Sequence, residues 1–213
     1  MKLLARAAQL LFAVTAATAF TSASAGVLAL DSTRQVGNQD WTGSLGMDFD
    51  VLSPIMVTGL GAFDSGHDGF ANAITVGIFN RDTGLLVSSS ILTNANTSYA
   101  GTNNRMADVV DFVLGAGRYS IVAQAFSALD LNGNSGVSGS GAAPTIGISD
   151  AISFTGSARY GVGAFAFPTI VDAGPANRYD AGTFEFNAIP EPGSLAILGL
   201  GLLGLGALRS RKN

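Results

Sequence analysis

One histidine, no cysteine and two glutamates set the limits on the chemistry that this 213-residue sequence can perform. His67, in "FDSGHDGF", is the residue around which any histidine-dependent metal site or Ser-His-Asp triad would have to be built. Its neighbours Asp64, Gly66, Asp68 and Gly69 are what a tight surface loop contains, and Ser65 is too close in sequence to serve as its nucleophile. Paired carboxylates occur at Asp48 with Asp50 and at Asp108 with Asp111, spacings that read as outward positions on strands. Neither pair offers an acid in an apolar pocket facing a second across a scissile bond, as glycoside hydrolysis needs, so no enzyme is expected. Asp130, Asn132 and Asn134, in "DLNGNSG", place hard oxygen donors at alternate positions, the spacing of a calcium loop. The sixth place of an EF-hand loop is here Ser135 instead of glycine, and the twelfth is Gly141 instead of glutamate. An Asn-Gly turn is therefore the expectation, with no metal and no cofactor. Gly199, Gly201 and Gly204 satisfy G-x-G-x-x-G but lack the strand before and the acidic residue after that a dinucleotide site requires.

The elements that would position such residues are strands. Short runs alternate apolar with small or polar residues between turn signals, and no segment of the body keeps a 3.6-residue apolar period over three turns. The expected strands are 44–51, 55–63, 73–80, 85–92, 107–114, 118–126, 151–156, 161–167 and 182–188. "RDTG" at 81–84 and "GAG" at 115–117 are expected to close hairpins, and 127–149 to form a long exposed loop. The fold class is all-β, a two-sheet antiparallel sandwich of jelly-roll type, with Ile74, Val76, Ile78, Val110, Phe112, Ile121 and Val122 among the inward positions. Where both members of an adjacent pair such as Ile121 and Val122 are apolar, one must face away from the shared core.

The two ends read differently. Lys2 and Arg6 precede a mostly apolar run to Phe20, and Ala23 and Ala25 before Gly26 form a small-x-small cleavage site, so residues 1–25 are expected to be a secretory signal peptide. Export to an oxidising compartment without cysteine means a fold that holds without disulfides. The body, 26–188, carries fourteen acidic residues if Glu185 is included, against six arginines and no lysine, a net charge of about −8. That balance excludes nucleic acid as a partner, because a phosphate backbone requires a basic face. After the body, residues 189–213 hold Pro190, Glu191 and Pro192, then fourteen apolar residues from Leu195 to Leu208, then Arg209, Arg211 and Lys212. As a helix over about 194–208 the run spans about 21 Å, short for a hydrocarbon core of about 30 Å, but with interfacial residues before it and arginines that snorkel after it. The basic end is expected to stay cytoplasmic, leaving the body outside.

Pro190-Glu191-Pro192, the apolar helix and the basic end, in that order, resemble the PEP-CTERM sorting signal of exported proteins in Gram-negative bacteria. The resemblance implies an exosortase-type membrane processing enzyme as partner, transient residence in the inner membrane, and a final place at the cell surface or in the matrix, associated with exopolysaccharide and biofilm. The stretch from Leu45 to Leu92 also resembles an uncharacterised β-domain of such exported proteins, which implies a sandwich and no assigned activity. The body would then be structural, or alternatively a carbohydrate-binding, lectin-like module or a calcium-dependent adhesin. For the lectin-like alternative Trp41, Tyr99, Tyr160 and Tyr179 are the candidate aromatics.

Overall fold

The computed structural model of the chain describes residues 26–32, 36–135, 145–147 and 149–189, together with Gly199 and Gly201. The chain divides into two units, Ala25–Ala188 and a second made of Met1–Ser24 with Ile189–Asn213. The expected signal peptide, with Ala23 and Ala25, lies outside the described residues, as do Pro190, Glu191, Pro192, Arg209, Arg211 and Lys212. So does the expected membrane helix, apart from Gly199 and Gly201, which are helical. Among the described residues no helix is long and apolar enough to cross a membrane.

The body is all-β. Its strands in chain order are β1 (Val27–Leu28), β2 (Leu30–Asp31), β3 (Ser44–Val51), β4 (Ile55–Phe63), β5 (Ile74–Asn80), β6 (Leu86–Leu92), β7 (Thr97–Ser98) and β8 (Asn104–Leu114). There follow β9 (Gly117–Gln124), β10 (Gly133–Asn134), β11 (Thr145–Ile146), β12 (Ile152–Tyr160), β13 (Ile170–Asp172), β14 (Tyr179–Asp180) and β15 (Gly182–Ala188). A six-stranded sheet runs β13-β12-β3-β9-β5-β6 and a five-stranded sheet β1-β15-β4-β8-β7, with β10-β14 and β11-β2 as separate pairs, every pairing antiparallel.

The two large sheets share one core. Phe49 of β3 meets Phe184 of β15 at 4.8 Å between ring centroids, and Ile74, Val76, Ile78 and Ile121 close against Ile55, Val57, Leu60 and Phe186. Among the long strands only β5 and β6 form a local hairpin, and Gly84 at φ +70° supplies the left-handed residue that its turn needs. Gly115–Gly117 closes no hairpin. It carries the chain from β8 in one sheet to β9 in the other, and neither glycine is left-handed.

Three further expectations fail for identifiable reasons. Val110 is 92% exposed because β8 bulges against β4: between the pairs Val57–Phe112 and Gly59–Asp108, β8 advances two residues more than its partner. Val109 and Phe112 thus reach the core, and the simple alternation that would have buried Val110 is broken. Asp48, expected outside, is fully buried. Arg159 Nε donates to its two carboxylate oxygens at 2.9 and 2.7 Å, and Arg81 Nη1 approaches Oδ2 at 3.5 Å while its Nη2 pairs with Asp50. The cover is the third failure, the expected strand 161–167. It is an irregular strap: Phe165 and Phe167 pack on Phe79, Phe167 also lies under the Arg159 guanidinium at 5.2 Å, and Gly161 N donates to Ser44 O. With the strap on its outer face the central strands β3, β9 and β5 of the six-stranded sheet are buried on both sides, so Ile121 and Val122 are both fully buried.

Asp180 on β14 is 1% exposed. Ser32 Oγ donates to its Oδ1, and its Oδ2 has no hydrogen-bond partner among the described residues. Burial, opposed by the Ser32 hydrogen bond and reinforced by the charge of Asp31, pushes its pKa up to about 7. The folded chain therefore holds a proton here that the unfolded chain releases near pH 4, so this contribution is complete below the unfolded pKa and is lost as pH rises to about 7. We expect the stability difference between wild type and Asp180→Asn to move against the wild type by on the order of 4 kcal/mol from pH 4 to pH 7 and to level off above. Urea denaturation of the two proteins across that range checks it. Parallel pH profiles would show that Asp180 does not titrate between the folded and unfolded states.

Candidate functional site

Asp130, Asn132 and Asn134 do not stand on the expected Asn-Gly turn. The expected exposed loop is buried at Asp130, Asn132, Gly133 and Asn134, and β10 pairs with β14. Asp130 accepts from Ala71 N at 2.8 Å and Asn72 N at 3.1 Å, which uses both carboxylate oxygens to tie down the segment before β5. Asn132 Oδ1 accepts from Trp41 N at 3.3 Å, and Asn134 Oδ1 accepts from Arg178 Nε at 2.9 Å. Gln39 joins them, its Oε1 accepting from Asn132 Nδ2 at 2.9 Å and Asn134 Nδ2 at 3.0 Å. Alternate polar residues leading into and ending a two-residue strand thus hold the walls of a cleft. Among the described residues no group of three or more His, Asp or Glu side chains could hold a metal.

Asp64, of the "FDSGHDGF" segment, accepts from Gly69 N at 3.1 Å through Oδ1 and faces Arg105 through Oδ2, with Nη2 at 2.9 Å. The arginine shapes this loop from inside. His67 lies exposed in the short 3-10 turn Ser65–His67, with φ +60°.

The cleft that Asn132 and Asn134 support has a volume of 520 Å³ and is lined by residues of the Trp41 segment, β10, β12, β13 and β14. Trp41 and Tyr160 meet edge to face, centroids 5.6 Å apart and planes at 90°. Trp41 Nε1 donates to Gly161 O at 3.2 Å, fixing the indole. Gly43 allows this approach, since a Cβ there would lie 2.0 Å from the same carbonyl oxygen. Opposite stand Asp172, Arg178 and Tyr179: the Tyr179 hydroxyl and Arg178 Nη1 donate to the Asp172 carboxylate, Gly174 N donates to it at 2.7 Å, and the guanidinium lies 5.3 Å from the Tyr179 ring centroid. Burial raises the Asp172 carboxyl, but these three donors and the arginine charge outweigh it and hold the pKa below the usual carboxylate value. Burial and the same carboxylate push the Tyr179 phenol far up, so the hydroxyl remains a donor. The cleft is a mixed surface of aromatic rings, amides and one neutralised ion pair, its polar side chains tied in place by the hydrogen bonds above.

Three of the four aromatics picked out from the sequence, Trp41, Tyr160 and Tyr179, are thereby brought together, although Trp41 stands half-buried at the sheet's margin and not on a concave sheet face. Tyr99 is elsewhere, its hydroxyl 3.4 Å from Glu185 Oε1. Gln39, Asp172 and Arg178 escaped the sequence reading. Their signal was faint: Asp172 and Arg178 flank the Gly174-Pro175 turn, six positions apart, as an ion pair across a tight reversal would.

The remaining feature is the exit of the chain. β15 pairs along β4 from Gly182 to Ala188. Residues 188–212 match the PEP-CTERM protein-sorting motif, beginning on the last residue of that strand. The match gives the chain a sorting signal of the type that an exosortase recognises, and so implies export and membrane-associated processing. No curated protein and no solved structure matches the chain.

Proposed function

We propose that the chain is an exported, non-enzymatic β-sandwich delivered by a signal peptide at 1–25 and cleaved before Gly26. The apolar run of about 194–208 holds it in the inner membrane with Arg209, Arg211 and Lys212 on the cytoplasmic side. An exosortase then processes it near Pro190-Glu191-Pro192 and releases it to the cell surface or extracellular matrix, where it associates with exopolysaccharide and biofilm. The match of residues 188–212 to the sorting motif carries this reading. The acidic, cysteine-free composition of the body supports it, since such a domain needs neither disulfide formation nor a nucleic-acid partner.

Replacing both Leu202 and Leu203 with Asp tests the membrane step. Each charge near the middle of a spanning helix costs about 2.5–3.5 kcal/mol on insertion scales, so the doubly substituted chain is expected to leave the inner-membrane fraction. Cell fractionation and blotting read the result. A substituted chain that remains in the inner membrane like the wild type would remove the apolar run from the account.

The carbohydrate-binding alternative has one specific observation in its favour, the convergence of Trp41, Tyr160 and Tyr179 on a polar cleft.

A further inference from the structure

We infer that the cleft between Trp41, Tyr160 and the β13–β14 segment binds an uncharged pyranose unit of a glycan. The inference deepens the proposed matrix association and rests on that reading for the source of the sugar.

Size comes first. At 520 Å³ the cleft falls within the range of about 300–1,000 Å³ usual for sites that enclose small ligands. Its lining then selects the chemistry. A pyranose has two kinds of surface, faces of C–H groups with slight positive charge and a rim of hydroxyls that both donate and accept. Aromatic rings carry negative π-faces and positive edges, so the perpendicular Trp41–Tyr160 corner suits the C–H surface. The rim suits planar groups of both hydrogen-bonding senses. The half-buried Gln39, Asp172 and Arg178 supply amide, carboxylate and guanidinium at the lining, while Asn134 and the Tyr179 hydroxyl, buried and bonded to Gln39, Arg178 and Asp172, hold them in place.

Charge argues against ionic ligands. Arg178 is already paired with Asp172 and bonded to Asn134, and the body carries a net charge of about −8, so an anionic sugar meets a neutralised arginine in a repelling field. A cation meets a carboxylate already engaged by Tyr179, Gly174 and Arg178. A wholly apolar ligand would leave the polar side chains of this lining without their water, a cost that no contact returns.

The site is also rigid before anything enters. Trp41 is held at its backbone N by Asn132 and at its indole N–H by Gly161 O, and Arg178 is held at both ends of its guanidinium. A ligand that gains only weak contacts binds usefully where little ordering remains to be done.

Trp41 is the one tryptophan in the sequence, so its emission reports on the cleft directly. The full chain in lipid nanodiscs is titrated with neutral gluco-, galacto- and manno-tetrasaccharides and, for comparison, with a hyaluronan tetrasaccharide. At least one neutral tetrasaccharide is expected to give a saturable change in emission with a Kd of about 1 mM or tighter, and the uronic-acid sugar to bind about tenfold more weakly or not at all. Ala173→Arg, at an exposed position of the lining, fills the cleft while keeping Trp41 as sole reporter; it should weaken binding by about tenfold or more with an unchanged melting temperature. The inference is overturned if no neutral sugar changes the emission up to about 10 mM, if hyaluronan binds as well as the best neutral sugar, or if a folded Ala173→Arg chain titrates like the wild type. Neither result touches the sorting step: a chain that fails to bind sugar can still be processed at its tail, and a chain that fails to be processed still presents the cleft to the titration.

Discussion

In a host that carries an exosortase, Glu191→Ala should be exported and inserted in the inner membrane like the wild type and then remain there. In the proposed route export depends on residues 1–25 and insertion on the apolar run and the basic end, none of which the substitution alters. What changes is the segment between the folded body and the membrane. A proline ring restricts its own φ to near −65° and disfavours helix in the residue before it, so the order Ile189-Pro190-Glu191-Pro192 is expected from sequence to suit binding by the enzyme as a stretched peptide. A processing enzyme binds a peptide in that form. Glu191 is the charged side chain of the tripeptide, and its loss removes the group that an enzyme at the membrane surface can recognise through charge-assisted hydrogen bonds. The released fraction should fall from most of the protein to a small remainder. Release at the wild-type level would mean that the tail serves only as an anchor.

The second large effect is on stability. Asp48→Ala leaves Arg81 and Arg159 with side chains only 12% and 19% exposed and without the carboxylate between them, and it frees the Arg159 guanidinium that lies over Phe167 of the strap. Removing one partner of a buried ion pair costs about 3–5 kcal/mol, because the surviving charge stays buried without compensation. Arg81 retains Asp50, which is 37% exposed, so the larger share of the loss falls on Arg159. Replacing Asp82, whose pair with Arg118 is open to solvent on both sides, should change stability little. Equilibrium unfolding in urea separates the two cases: a large drop in midpoint for Asp48→Ala and almost none for Asp82→Ala. Equal effects would contradict the assignment of Asp48 as the buried anchor of Arg159 and Arg81.

Asp48 also marks where the sequence stops being legible. The strands Ser44–Val51, Ile55–Phe63 and Gly182–Ala188 follow from apolar alternation and stand where alternation puts them. Alternation encodes one buried face, however, and β3 is buried on both, so its second face reads as solvent-directed in sequence. "GVGAFAF" alternates as well as any strand, yet its phenylalanines are used to cover Phe79 and Arg159 from above, a role that leaves the same periodic trace. Val110 fails because the bulge leaves no signature in "ADVVDFVL", where the adjacent pair Val109-Val110 fits either face. The cleft was half legible. Its aromatics can be nominated by type, but Trp41 and Tyr160 are joined only by the three-dimensional course of the chain, and Asn132 and Asn134, nominated by a metal-like spacing, bond Trp41 and Arg178 from a short bridged segment. The sorting tail is legible for the opposite reason: its parts are contiguous, and its chemistry depends on order along the chain.

The central claim is that this chain carries a tail that is read and then removed. Intact mass spectrometry of the protein recovered from the surface or matrix fraction, with sequencing of both termini, tests it most directly. The account predicts an N-terminus at Gly26 or a near neighbour and a C-terminus upstream of Leu195, the apolar run and basic end being absent. A surface protein that still ends in Arg209, Arg211 and Lys212 would contradict it.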